Sequence, residues 1–298
     1  MHFGGFAMWL ARVRRPSCKV GVAWVDPDQN CAFPLDLSRR RDVTCLADLL
    51  AAADPEAAVR ELTDLGVTAD RLETLHLLPP VDRQEVWAAG VTYKRSKVAR
   101  EEESAGAAQF YDKVYTADRP ELFLKATPDR VVGPGGAIRV RRDSRWSAPE
   151  PELTLVISPD LRIVGYTVGN DVSARDIEGE NPLYLPQAKI YHGSCAVGPV
   201  VTLPRAMPPS DQVTIAMAVR RGGRVAYEGS TTLAAMARTP ESLVDWLCRE
   251  NRFPNGVLLM TGTGIVPPDE FTLQAGDLVR ITIDGIGTLV NPVVQAPA

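Results

Sequence analysis

The chain has 298 residues, of which 45% are hydrophobic and 23% charged, a composition typical of a globular protein rather than a disordered one. The formal net charge of −4 argues against a nucleic-acid-binding protein, because such proteins usually carry a basic patch. No apolar run in the sequence approaches the length of a membrane span, so we expect no membrane partner.

Residues 1–80 predict a small mixed α/β domain at the N-terminus. The apolar opening, residues 1–10, predicts a strand rather than a signal peptide, since no basic segment precedes it and no small-residue cleavage site follows it. The other predicted elements are a strand at 20–25, helices at 44–53 and 55–65, and an extended linker at 77–81.

From Val86 onwards the apolar runs become short, and glycine and proline separate them, which is typical of strands joined by turns. Strands are predicted at 122–124, 153–157, 163–168, 213–219 and 278–283, and helices at 93–104 and 240–250. Residues 81–298 therefore predict a β-rich second domain, and the whole chain an α+β fold.

Cysteine and histidine are too few, and wrongly spaced, for a disulfide framework or a zinc site. The five cysteines are odd in number and form no C-x-x-C pair, and the chain has three histidines. We therefore expect a cytoplasmic, reducing setting. The sequence also lacks the G-x-S-x-G, Walker A and G-x-G-x-x-G motifs, which disfavours triad hydrolases and nucleotide cofactors.

Two glutamates next to prolines form the sharpest local feature. Pro149 and Pro151 exclude a helix, and in an extended backbone residues i and i+2 point to the same side, so Glu150 and Glu152 should project together. Their mutual repulsion would raise one pKa, and a divalent cation would remove that repulsion. Local sequence alone is equally consistent with an exposed acidic turn.

A third carboxylate follows the apolar run 163–168. Asp171 should lie at the end of that strand, where it would join Glu150 and Glu152 in an oxygen-only site suited to Mg²⁺ or Mn²⁺. The alternative is that Asp171 caps a turn. The adjacent Arg175 and Asp176 predict a structural ion pair with each other.

Lys189 stands between apolar residues and before a Gly-Ser turn, which indicates a partly buried lysine. Close to a metal-bound carbonyl group, such a lysine would stabilise an enolate or transfer a proton. A surface lysine with its aliphatic stem lying along the protein is the alternative.

Over residues 85–294 the chain resembles the fumarylacetoacetate hydrolase superfamily. The resemblance rests on segments 87–93 and 120–125, the Glu150/Glu152 pair, segment 165–176, Lys189 to Pro199, and segments 261–263 and 285–292. It implies a β-roll catalytic domain, usually assembled as a homodimer or homotetramer. It also implies that Glu150, Glu152 and Asp171 bind Mg²⁺, Mn²⁺ or Ca²⁺, and that Lys189 contacts the substrate.

One departure from the family pattern bears on the reaction. Members that hydrolyse C–C bonds usually carry G-x-N-Y-x-x-H, in which the histidine activates water. In this chain the segment runs from Gly90 to Ser96, and Ser96 takes the place of that histidine. Serine cannot act as an imidazole base at neutral pH, which disfavours hydrolysis and leaves metal binding unaffected.

The segments 90–96, 177–189 and 261–268 resemble one branch, the 2-keto-3-deoxy-D-arabinonate (equivalently D-xylonate) dehydratases. The resemblance implies conversion of this small 2-keto acid to 2,5-dioxopentanoate in pentose catabolism. It further implies an enolate stabilised by Mg²⁺ and Lys189.

Further residues are assigned roles in the same hypothetical reaction. Glu121 is the candidate for the second acid or base, because it directly precedes the strand-like segment 122–124, although a surface glutamate is the alternative. Arg95, Ser96 and Thr263 are the candidate substrate-binding residues.

Three other functions stay open at this point. The first is C–C hydrolysis of acylpyruvates or fumarylacetoacetate-type substrates. The second is decarboxylation or tautomerisation of oxaloacetate. The third is a ligand-binding member without catalytic activity, which the presence of all three carboxylates and Lys189 disfavours.

Overall fold

A computed structural model describes residues 8–63, 67–93 and 114–295. The first strands are β1 (Trp9–Arg14), β2 (Val20–Asp26), β3 (Cys31–Pro34), β4 (Asp70–Arg71), β5 (His76–Leu78), β6 (Glu85–Gly90) and β7 (Glu121–Ala126). They continue with β8 (Val131–Val132), β9 (Ile138–Val140), β10 (Ser147–Ala148), β11 (Pro151–Ile157), β12 (Ile163–Asp171) and β13 (Ser173–Ala174). The last are β14 (Cys195–Thr202), β15 (Thr214–Arg221), β16 (Arg224–Thr232), β17 (Val257–Met260), β18 (Leu278–Ile283) and β19 (Gly287–Gln295).

The helices are short and connect or cover the strands. They are α1 (Leu46–Ala51), α2 (Pro55–Leu62), α3 (Arg175–Glu180), α4 (Leu185–Lys189) and α5 (Pro240–Cys248). Capping explains where two of them begin. The side chain of Asp54 accepts a hydrogen bond from the Ala57 N–H at the start of α2, and Thr239 accepts one from the Ser242 N–H at the start of α5.

The strands form one large sheet and two smaller ones. The large sheet runs β4-β3-β2-β1-β14-β12-β11-β17-β6-β7, with β5 also paired to β1 and β8 to β14. The second sheet runs β16-β15-β18-β19-β9, and β10 pairs with β13. Strand β11 has neighbours on both sides and is buried at every position, and most of its side chains are apolar on both faces.

Alternate residues of β11 enter two different cores. Leu155 packs in a core shared with Ile215 and Ile281 of the second sheet, whereas Val156 packs in a core with Leu49 of α1 and Val59 of α2. The large sheet therefore lies between the second sheet on one face and the N-terminal helices on the other. This two-sided cover holds the ends of β11 and β12 in fixed positions.

The α+β, strand-rich class predicted from the sequence is confirmed. The predicted strand at 163–168 lies within β12, and the helix predicted at 240–250 corresponds to α5. The first two residues of the linker predicted at 77–81 instead belong to β5, because residues 76–78 pair with β1. Residues 94–104 of another predicted helix lie outside the described residues.

The N-terminal strands extend the large sheet instead of forming a sheet of their own. Strand β1 pairs with β14 through Trp9 and Leu10. A domain boundary near residue 80 remains a prediction. Across the described ranges, no helix combines the length and apolar character that a bilayer crossing requires.

We predict that Leu155→Ala strongly destabilises the protein. Leu155 is fully buried in the centre of β11, and truncating a buried leucine costs about 2–5 kcal/mol of unfolding free energy. Val225→Ala is the control, because Val225 is 50% exposed. Urea unfolding of the two variants should show a large shift for the first and almost none for the second; equal midpoints would contradict the packing described above.

Candidate active site

Three carboxylates converge where β11 begins and β12 ends. The two strands are antiparallel, with Glu152 opposite Gly169, and the Asp171 N–H donates a 2.9 Å hydrogen bond to the Glu150 carbonyl. Glu150, Glu152 and Asp171 are 3%, 1% and 1% exposed. One carboxylate oxygen from each residue lies within 4.8 Å of the others. The structure thus brings together the three residues expected from the sequence, and Asp171 ends its strand as predicted.

A close backbone approach holds Glu152. The Gly262 N–H donates a 2.5 Å hydrogen bond to Glu152 Oε2. Gly262 has a φ of +92°, and a Cβ at this position would lie 2.0 Å from Thr92 Oγ1. Only glycine allows this approach, because other residues would be both strained and in steric conflict.

The environment of Glu152 disfavours its charged form. Burial, and then the nearby charges of Asp171 and Glu150, raise its pKa well above the usual range, while the Gly262 N–H acts in the opposite direction. Lys189 also lowers the pKa of Glu152, but these effects do not outweigh burial and the two neighbouring carboxylates.

Lys189 lies inside the carboxylate cluster. It is 3% exposed, and its Nζ lies 2.9 Å from Glu150 Oε2, 3.2 Å from Asp171 Oδ2 and 2.6 Å from Ser173 Oγ. The surface-lysine alternative is therefore wrong. The short helix α4 ends at Lys189, and this position delivers the ammonium group to the strand ends.

Sequence reasoning missed a second buried lysine. Lys125 is 1% exposed, and its Nζ lies 2.6 Å from Asp171 Oδ1 and 3.2 Å from both the Val172 carbonyl and Ser194 Oγ. It also donates to the Lys189 carbonyl. Because side chains alternate along a strand, Lys125 of β7 lies on the same face as Glu121. This alternation is the feature of the sequence that could have identified Lys125.

Arg175 belongs to the site, which differs from the sequence-based prediction. Its guanidinium lies 3.1 Å from Glu150 Oε1 and is almost completely buried. Asp176, the predicted partner, instead accepts hydrogen bonds from Ser144 Oγ at 2.6 Å and from the Arg145 N–H at 2.7 Å. The ion pair therefore links α3 to the carboxylate cluster rather than closing within the helix.

These groups line a small, partly enclosed cavity. Its lining includes Gly90, Glu121, Phe123, Glu150, Glu152, Asp171, Arg175, Glu178, Lys189 and Thr263. The carboxylate of Glu121 packs directly against Gly90, because a Cβ atom added to Gly90 would lie 2.0 Å from Glu121 Oε2. The hydroxyl of Thr263 contacts the Ile265 N–H and carbonyl at 3.2 Å. Arg95 and Ser96, the other predicted substrate contacts, lie outside the described residues.

The sequence of the chain is similar to those of known proteins. Residues 85–294 match the family described as "Fumarylacetoacetate (FAA) hydrolase C-terminal". A Haloferax volcanii protein named "Probable 2-keto-3-deoxyxylonate dehydratase" is 47% identical over 258 residues, which cover 87% of this chain and 89% of the relative. The "2-dehydro-3-deoxy-D-arabinonate dehydratase" of Saccharolobus solfataricus is 45% identical over 226 residues, covering 75% and 76%.

Solved structures agree with these relatives. The apo form of a 2-keto-3-deoxy-D-arabinonate dehydratase superposes with a TM-score of 0.84 at 37% identity, covering 98% of this chain and 100% of the other. A second structure, with magnesium and 2,5-dioxopentanoate, gives 0.80 at 37% identity with the same coverage. On its sequence match and its fold, the chain belongs to the fumarylacetoacetate hydrolase family.

Proposed function

We propose that this protein is a Mg²⁺-dependent dehydratase that converts 2-keto-3-deoxy-D-arabinonate, which is the same molecule as 2-keto-3-deoxy-D-xylonate, into 2,5-dioxopentanoate. The observation that carries the proposal is the buried Glu150–Glu152–Asp171 cluster with Lys189 in hydrogen-bond contact with two of its members. The names of the similar proteins support the same substrate and product.

The donor set fits a hard divalent cation. Carboxylate oxygens are the ligands that Mg²⁺ prefers in proteins, and Mn²⁺ and Ca²⁺ also bind them. Burial, and then the charges of Asp171 and Glu150, raise the pKa of Glu152, and a bound cation would favour its charged form. When bound, the ion supplies Lewis acidity that makes the C3 protons of a 2-keto acid easier to remove.

Two residues that line the cavity suit different parts of the reaction, Lys189 the stabilisation of charge and Glu121 a proton transfer. The reaction breaks a C3–H and the C4–O bond and releases water, and a later proton shift from C5 turns the hydroxymethyl carbon into the aldehyde. We assign the stabilisation of negative charge on the C2 oxygen to the Lys189 ammonium group. Glu121, whose carboxylate faces the cavity across Gly90, is assigned the second acid or base role.

Four residues are proposed to hold the substrate: Arg95, Ser96, Lys189 and Thr263. The assignments of Lys189 and Thr263 are supported by their position in the cavity lining. The assignment of Arg95 and Ser96 rests on the sequence resemblance alone.

We also propose that the protein is cytoplasmic and works as a homodimer or homotetramer. All five cysteines are free thiols, which agrees with a reducing compartment. The oligomer is inferred from the family resemblance.

The decisive experiment is an NMR time course of 2-keto-3-deoxy-D-xylonate with the purified protein, once with Mg²⁺ and once with EDTA. We expect 2,5-dioxopentanoate to form only in the presence of the metal. Acylpyruvate cleavage into two fragments in a parallel sample, without dehydration, would identify a hydrolase instead. Release of CO₂ from oxaloacetate without dehydration would identify a decarboxylase.

Glu150→Gln should remove metal binding and turnover together. Losing an outer-sphere partner of a metal ligand already costs about 10–100-fold in affinity, so losing a ligand should cost on the order of 100-fold or more. Titration calorimetry with MgCl₂ measures the affinity. The matched control is Glu270→Gln, because Glu270 is exposed. Full activity of the Glu150 variant would refute the assignment of this ligand.

Lys189→Met should separate turnover from metal binding. We expect kcat to fall by about 100- to 1,000-fold, the range for losing one group that stabilises developing negative charge. Mg²⁺ affinity should be retained or improved, because a positive charge next to Glu150 and Asp171 disappears. Lys19→Met is the control, since Lys19 is exposed. Loss of metal binding together with activity would indicate that Lys189 serves only to hold the carboxylates in place.

A further inference from the structure

The cavity wall contains a buried acidic side chain that the proposed reaction does not use. Glu178 is 4% exposed and lines the same cavity as the three carboxylates. It lies on α3, three residues after Arg175, and residues at this spacing share one face of a helix. The helix therefore presents a cation to Glu150 and an anion to the cavity.

Glu178 is separate from the carboxylate cluster but close to it. Its Oε2 lies 3.9 Å from Lys189 Nζ, whereas that ammonium is 2.9 Å from Glu150 and 3.2 Å from Asp171. The lysine thus forms its shorter contacts with the cluster. Glu178 is therefore the most distant of the three carboxylates around the ammonium group, and it also lines the cavity.

The charged residues of the cavity lining bear on the role of Glu178. Among the described residues, the cavity lining includes the acids Glu121, Glu150, Glu152, Asp171 and Glu178 and the bases Arg175 and Lys189. Lys125 contributes a third cation behind Asp171. Acidic side chains thus line the wall of the cavity as well as the carboxylate cluster, so a second carboxylate on a ligand would meet like charge there.

We infer that Glu178 determines the substrate class: it accepts hydrogen bonds from hydroxyl groups of a monoanionic 2-keto acid and repels 2-keto acids with a second carboxylate. A carboxylate accepts hydrogen bonds and donates none, so it pairs with a hydroxyl group and not with another carboxylate. Like charges in a partly desolvated cavity repel strongly. The inference rests on the proposed function, because it takes the cavity to bind a 2-keto acid.

A matched pair of stable ligands tests the charge effect directly. The ligands 2-oxovalerate and 2-oxoglutarate share a 2-keto acid head and a five-carbon chain, and they differ at C5, which is a methyl group in one and a carboxylate in the other. Binding of each ligand to the Mg²⁺-loaded protein is measured by titration calorimetry for wild type, Glu178→Gln, Glu178→Asp and Glu180→Gln. Glu180 is exposed on the same helix and provides the control.

We expect Glu178→Gln to increase the affinity for 2-oxoglutarate by about tenfold, because the substitution removes the repelling charge. The affinity for 2-oxovalerate should change by less than about twofold. Glu178→Asp keeps the charge and should keep the discrimination, as should Glu180→Gln. For 2-keto-3-deoxy-D-xylonate, Glu178→Gln should raise KM more than it lowers kcat. Thermal unfolding and a MgCl₂ titration confirm that each variant is folded and retains the metal.

The two proposals fail in different ways. If the wild type binds neither ligand in the presence of Mg²⁺ and turns over no keto-deoxy acid, the proposed function is wrong. If both ligands bind and their affinity ratio is the same in Glu178→Gln as in the wild type, the role of Glu178 is wrong and the proposed function stands. An equal shift of the ratio in Glu180→Gln would also overturn the inference, because it would reflect net charge and not the cavity wall.

Discussion

The rest of the site depends on the cost of burying like charges together. Isolated carboxylates are expensive to remove from water, and several of them at one point require counter-charges or hydrogen bonds. Asp171 lies between Lys125 and Lys189, and Glu150 lies between Arg175 and Lys189. Glu152 has the Gly262 N–H and a raised pKa. The compensation is therefore uneven, and its weakest point lies where a divalent ion would be stabilised most.

The sheet stabilises this arrangement by fixing the backbone that carries the carboxylates. Antiparallel pairing of β11 and β12 places the start of one strand beside the end of the other, so Glu150 and Asp171 are neighbours through a main-chain hydrogen bond. Cores on both faces of β11 prevent the strand from shifting, since a slip of one residue would exchange its two faces. The rigid strands thus hold the carboxylates close together against their repulsion.

The carboxylates could be predicted from the sequence because local geometry determines them. Two prolines impose an extended backbone on Glu150 and Glu152, and an apolar run predicts that Asp171 ends a strand. The cations depend on longer-range contacts. Arg175 pairs with Glu150, 25 residues away, and not with its neighbour Asp176, while Lys125 bonds to Val172, 47 residues away. Charge spacing along the chain carries no information on which partner a tertiary fold will supply.

The three carboxylates are fixed by the ends of two strands, and under the proposed function they would hold the ion that binds the 2-keto acid head. A hydroxylated monoanion and a dicarboxylate share that head, so the carboxylates alone would not distinguish them. Discrimination would then come from groups that face the rest of the substrate, and in this chain Glu121 and Glu178 line the cavity wall. Because both are acidic, such a wall would favour hydroxyl groups over a second carboxylate. Under the inference drawn above, the charge of the wall, and not the set of metal ligands, would select the substrate class.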